Sequence, residues 1–218
     1  MKKKLKQLIG CFLLMLLVVT VIPAIPSEAS AKSAALSKYS QLLRKSRLSV
    51  LPQGKEVWYD YDYTVTYYSS KASDVKFSIA YIDGDDVPDL VLQDRKYGYG
   101  VWTYKNGSFR CLRWDDCYSE PVGYYKKKGI FRENSYTEGS PFNRIYYKLQ
   151  TGKNPAEIQY QQCNNGEYRV ENWGFYVGRK RVSSSAFYKN LKKYVGNTKM
   201  TRIYMHNNIW ANRNKYLR

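Results

Sequence analysis

Turn signals recur at intervals of roughly 8 to 12 residues through the middle of this chain, and that spacing constrains its fold more than any other feature. Lys105-Asn106-Gly107 separates the strand-like segments Gly100–Tyr104 and Ser108–Trp114, and Asn-Gly is the strongest short hairpin signal. Lys126-Lys127-Lys128-Gly129 separates Tyr124-Tyr125 from Ile130–Tyr136. Thr151-Gly152-Lys153-Asn154-Pro155 separates Phe142–Gln150 from Ala156–Cys163, and Asn164-Asn165-Gly166 precedes Tyr168–Val177. Phe77–Ile82 and Leu90–Gln93 flank an acidic loop. Earlier, Trp58, Asp60, Asp62 and Thr64 alternate with Tyr59, Tyr61, Tyr63 and Val65, which is strand periodicity. Connections this short join antiparallel neighbours, so the expectation is a meandering antiparallel sheet or partial barrel.

Helical spacing is confined to the ends. Leu36, Tyr39, Leu42, Leu43 and Leu48 predict an N-terminal helix over 34–50, ended by Pro52 and Gly54. Phe187, Leu191 and Tyr194 predict a second over Ser183–Tyr194, with Ser183, Ser184 or Ser185 as its cap and Gly196 as its stop. The tail, Asn197–Arg218, reads as another short helix carrying Ile203, Ile209, Trp210 and Leu217. The fold class is α+β, and no internal repeat is visible.

The first 31 residues have the three parts of a secretory signal peptide. Lys2, Lys3, Lys4 and Lys6 precede an apolar run of 15 residues, Leu8 to Ile22, and Ala29-Ser30-Ala31 is a small-x-small cleavage site. The alternative, an uncleaved anchor, meets a run shorter than the roughly 20 residues a spanning helix needs. Leu8-Ile9-Gly10-Cys11 resembles a lipobox, but Cys11 stands at the start of the apolar run rather than after it. The expected organisation is therefore a signal peptide, 1–31, and a single basic domain, 32–218, without a stable membrane span after cleavage. Its expected location is extracellular or cell-wall associated.

Cleavage removes four lysines and Glu28, so a formal charge of +18 becomes +15. An excess this large implies an anionic neighbourhood. All 23 tyrosines lie in the mature part, interleaved with cations, as in Tyr124-Tyr125-Lys126-Lys127-Lys128 and Arg144-Ile145-Tyr146-Tyr147-Lys148. Tyrosine faces stack on sugar rings or bases while nearby cations meet anionic groups, although tyrosine equally suits the wet face of a sheet. No nucleic-acid recognition motif accompanies the charge. The expected role is non-enzymatic binding of an anionic extracellular polymer, teichoic acid or peptidoglycan.

A wall-polysaccharide hydrolase working through two carboxylates is the rival. Asp60, Asp62, Asp115, Asp116, Glu120, Glu133 and Glu138 are its candidate acids. His206 is the sole imidazole, and in so polar a tail it reads as a surface residue. Cys111, Cys117 and Cys163 survive cleavage; their spacing fits no zinc ligand pair, and a Cys111–Cys117 disulfide is the expected pairing.

Asp83-Gly84-Asp85-Asp86-Val87-Pro88-Asp89 places alternate aspartates in a glycine-containing loop, the arrangement that offers hard oxygens to Ca²⁺. Asp83, Asp85 and Asp89 are the candidate metal ligands. Against the calcium-loop pattern, Tyr81 replaces the first carboxylate and Asp86 the turn glycine. A plain acidic turn is the competing reading. The segment Phe77–Leu92 resembles the DIDGDGxPEL segment of uncharacterised exported proteins of Gram-positive bacteria. Trp102-Thr103-Tyr104-Lys105-Asn106-Gly107 and Asn212-Arg213-Asn214-Lys215-Tyr216-Leu217 are similar to their later hairpin and ending. The resemblance implies a calcium-loop-like turn and an extracellular setting, and no activity.

Overall fold

The computed structural model describes residues 28–52, 57–59, 63–65, 69–136, 142–150, 152–163 and 174–218. Two antiparallel sheets carry the fold. The first has five strands: β5 (Lys76–Ala80), β6 (Asp89–Asp94), β7 (Gly98–Lys105), β8 (Ser108–Asp115) and β16 (His206–Asn207), in the order β16-β5-β6-β7-β8. The second has seven: β9 (Ser119–Tyr125), β10 (Ile130–Ser135), β11 (Phe142–Lys148), β12 (Ala156–Cys163), β13 (Phe175–Val177), β14 (Lys180–Val182) and β15 (Met200–Arg202), in the order β14-β13-β12-β11-β10-β9-β15. Neither closes into a barrel. The meander is present, divided between two sheets where β8 passes to β9.

Alternation along the strands builds four layers. Leu90 and Leu92 of β6 and Phe77 of β5 face helix α1 (Glu28–Leu43), where they pack with Leu36, Tyr39 and Leu43. Val91, Tyr99, Val101 and Leu112 face the other way and meet Tyr124, Phe131 and Leu149 of the second sheet. Tyr125, Ile130 and Tyr146 point outward from that sheet onto Phe187, Leu191 and Val195 of helix α2 (Ser184–Val195). The layers therefore run α1, five strands, seven strands, α2. A sheet covered on both faces needs apolar side chains on both, which Leu90, Val91 and Leu92 of β6 supply, with Asp89 and Asp94 buried at the two ends of the strand.

Turn chemistry sets the hairpins as expected. Asn106 and Gly107 both adopt positive φ, 51° and 79°, the pair of left-handed residues a type I′ turn needs. In α2, the Ser183 hydroxyl accepts from Ala186 N–H, and Gly196 closes the helix with its N–H donated to Lys192 O.

Several expectations are corrected. The first helix among the described residues, Glu28–Leu43, ends at Leu43 rather than 50, because Arg47–Leu48 (β1) pairs with Ser70–Lys71 (β4). The single strand read across 58–65 is a hairpin, Val57–Tyr59 (β2) pairing with Tyr63–Val65 (β3). The tail is helical only over Trp210–Tyr216 (α3); before it, β15 joins the edge of the seven-stranded sheet and β16 the edge of the five-stranded one. Gly54, Tyr61 and the Asn164-Asn165-Gly166 turn lie outside the described residues.

No disulfide joins Cys111, Cys117 or Cys163, so the expected Cys111–Cys117 bond is not formed. Cys111 lies within β8, and at about 3.3 Å per strand residue it stands roughly 13 Å from the strand's end at Asp115, beyond disulfide reach of a residue past that end.

Candidate functional site

The acidic loop docks one sheet on the other. It leaves β5, turns through Gly84 and enters β6, and its flank meets the β9–β10 turn. Lys127 N–H donates to Tyr81 O at 2.9 Å and Gly129 N–H to Ile82 O at 2.6 Å. Lys127 takes a left-handed φ of 57° to do so.

Within the loop the aspartates separate into different tasks. Asp89 is fully buried; its Oδ2 accepts from Ile82 N–H at 2.7 Å. Burial, then the neighbouring Asp83 charge, raise its pKa well above the carboxylate range. Asp85 accepts from Val87 N–H through Oδ1 at 2.9 Å and pairs with Lys105 through Oδ2 at 2.6 Å. Asp86 pairs with Lys127. Asp83 Oδ1 lies 3.5 Å from Asp85 N–H. Asp83 and Asp85 lie near enough for their charges to act on Asp89. Among the described residues, no group of three or more Asp, Glu, His or Cys is placed to hold a metal ion.

A second polar cluster lies between the sheets. Glu133 of β10 is fully buried and accepts from the Tyr99 hydroxyl of β7 and from Arg113 of β8. Arg113 also pairs with Asp115 and lies over the Tyr147 ring, 4.2 Å from its centroid. Burial raises the Glu133 pKa, opposed by the Arg113 bonds. Two acids that the sequence offered to a hydrolase, Asp115 and Glu133, are therefore brought together on one guanidinium. Glu133, however, has no exposed surface through which to reach a substrate. Glu120 is engaged by Asn134 and the Tyr136 hydroxyl, and Asp60, Asp62 and Glu138 lie outside the described residues.

Two concavities flank the start of α1. The larger, about 610 Å³, runs along the helix beside Leu217 and Arg218 and has no aromatic residue in its lining. The smaller, about 330 Å³, is lined by Ala29, Lys32, Tyr81, Asp86, Lys126 and Lys127. Three segments distant in sequence meet there: the first turn of α1, the acidic loop and the β9–β10 turn. Lys32 Nζ stands 6.0 Å from the Tyr81 ring centroid and Lys126 Nζ 5.5 Å. This is a concave site where an aromatic ring and cations converge. A ring face offers stacking for a sugar, and the two ammoniums over it offer hydrogen bonds to an anionic group.

The run Tyr124-Tyr125-Lys126-Lys127-Lys128 contributes its cations to this cleft and not its own tyrosines. Tyr124 is buried between the sheets and Tyr125 beneath α2, and Tyr81 supplies the aromatic face. His206 is half-buried in β16, stacked on Tyr216 at 4.0 Å, rather than a free surface residue. No described helix is long and apolar enough to cross a membrane. Compared with known proteins, the chain matches no family model, no curated protein and no solved structure.

Proposed function

We propose that this is an exported, wall-associated binding protein for an anionic extracellular polymer, and that the cleft around Tyr81 is where the polymer sits. The observation that carries the reading is the convergence of Lys32, Lys126 and Lys127 on one aromatic-floored concavity. The overall excess of cations supports it, since a basic surface concentrates a polyanion before the cleft engages it. The enclosure of Glu133 by Arg113 and Tyr99 weighs against a hydrolytic carboxylate pair at that position.

The test is a pull-down on purified cell walls with and without teichoic acid. Binding should fall steeply as salt rises, because the Debye length shrinks from about 10 Å at 0.1 M to about 3 Å at 1 M. A bound fraction surviving high salt, and lost in Tyr81→Ala, would report stacking. Negligible binding to both wall preparations refutes the reading. Release of soluble sugar fragments transfers it to the hydrolase.

A further inference from the structure

Helix α1 runs straight through the cleavage site read from the sequence. Its first residue is Glu28, whereas the small-x-small site ends at Ala31. Ala29, which processing removes, lines the Tyr81 cleft, and Lys32, which processing makes the first residue, lines it too. Resting on the proposed function above, we propose that signal-peptide cleavage completes the binding cleft: the α-ammonium freed on Lys32 is a ligand-binding group for a phosphodiester of the polymer.

Lys32 and Ala29 are three residues apart, on the same helix face, so what replaces Ala29 at the mouth of the cleft is the new chain end. Three lysines against Asp86 give the lining a formal charge of +2, and the new terminus makes it +3. Lys127 is engaged by Asp86, which leaves Lys126 and the two ammoniums of Lys32 to face a ligand over Tyr81. Two ammoniums on one residue can hold two oxygens of the same phosphate, while the ring takes the adjoining sugar or polyol. In the unprocessed chain that nitrogen is a helical amide carrying no charge.

Of the described residues packed on the core beneath α1, processing removes Ala31, which is half-buried. The first fully buried side chain of α1 is Ala35, so a chain starting at Lys32 keeps every buried residue named above. Lys32–Leu43 still spans three turns.

The experiment compares two forms of the 32–218 chain, each titrated with glycerol phosphate oligomers at low salt. One form bears a free terminus, released without extra residues by a site-specific protease. The other has its α-amine selectively converted to a neutral ketone by transamination. The free form should bind about tenfold more tightly, the scale of one charge-assisted hydrogen bond. Lys126→Met should weaken both forms alike, and equal melting temperatures would show that the fold is intact. Equal affinity of the free and ketone forms overturns the proposal and leaves the binding function standing. Failure of every form to bind, or binding indifferent to Lys126→Met and Tyr81→Ala, overturns the site itself. A carboxylate polymer such as polygalacturonate bound more tightly than the phosphate oligomers overturns the phosphodiester assignment.

Discussion

Arg113 grips Glu133 across the two sheets, with Nε 3.0 Å from Oε2 and Nη2 2.8 Å from Oε1. The guanidinium comes from β8 and the carboxylate from β10, so the pair ties the five-stranded sheet to the seven-stranded one inside their shared core. Tyr99 and Tyr147 complete the shell. Removing one member strands the other in a low-dielectric interior. Glu133→Ala or Arg113→Met should each cost about 3–5 kcal/mol, and the double replacement Arg113→Met with Glu133→Leu should cost less than either. Urea unfolding of the four proteins is the measurement. Additive losses would mean that the two side chains do not depend on one another.

Asp89 gives a pH dependence with a definite sign. Its folded-state pKa is raised, first by burial and then by Asp83. Above the ordinary carboxylate pKa of about 4, the unfolded chain releases this proton while the folded chain holds it. Stability attributable to Asp89 is therefore present at low pH and falls as pH rises towards the raised folded value. Asp89→Asn keeps an acceptor for Ile82 N–H and cannot ionise, so its stability should vary less with pH and exceed the wild type at neutral pH. Asp89→Ala leaves Ile82 N–H without its partner and should cost about 1–3 kcal/mol. Melting temperatures from pH 4 to 8 decide the matter, and parallel curves for wild type and Asp89→Asn would refute it.

The parts of the fold written in the sequence are those fixed locally. Asn106-Gly107, the Lys127 and Gly129 turn, the Ser183 cap and the Gly196 stop each satisfy a backbone demand within a few residues. Sheet membership is different. Met200–Arg202 and His206–Asn207 are too short to show a period, and their partners, β9 and β5, lie more than 70 residues away. Only tertiary pairing makes them strands. The site was hidden for the same reason. Lys32, Tyr81 and Lys126 lie in three separate segments, none of which names the other two, and the cleft exists because the acidic loop docks on the β9–β10 turn beside α1. Glu133 was misleading in a further way, since a carboxylate between Arg132 and Asn134 reads as solvent-facing until the five-stranded sheet covers it.

The three thiols should titrate separately. Cys111 and Cys117 are half-buried and Cys163 is buried. Burial and the adjacent Asp116 push the Cys117 thiol up, which slows its reaction because the thiolate is the nucleophile. In the mature protein, a thiol-specific aromatic disulfide should modify two cysteines natively and the third only in denaturant. Two equivalents lost from the denatured total would instead show that a disulfide had formed after all.

The acidic loop poses the last question, whether Ca²⁺ is its cation. Calcium takes 6–8 oxygen ligands at about 2.3–2.6 Å, and Asp83, Asp85 and Asp89 are the natural donors here. Asp85 is already held from both sides, by Val87 N–H and by the Lys105 ammonium, and its hydrogen bond to Lys105 raises the Lys105 pKa in turn. Asp86 is matched by Lys127. Two lysines supply the positive charge that a divalent ion would bring, and burial of Asp89 disfavours its charged form. Melting curves in millimolar Ca²⁺ and in chelator should therefore superimpose. Lys105→Met should cost no more than about 1 kcal/mol, because that pair is partly solvated. A melting temperature that climbs with Ca²⁺ in the wild type would overturn this account, since a ligand stabilises only the state that binds it. A climb seen only in Lys105→Met would support it, by showing that the ammonium occupies the place the ion would take.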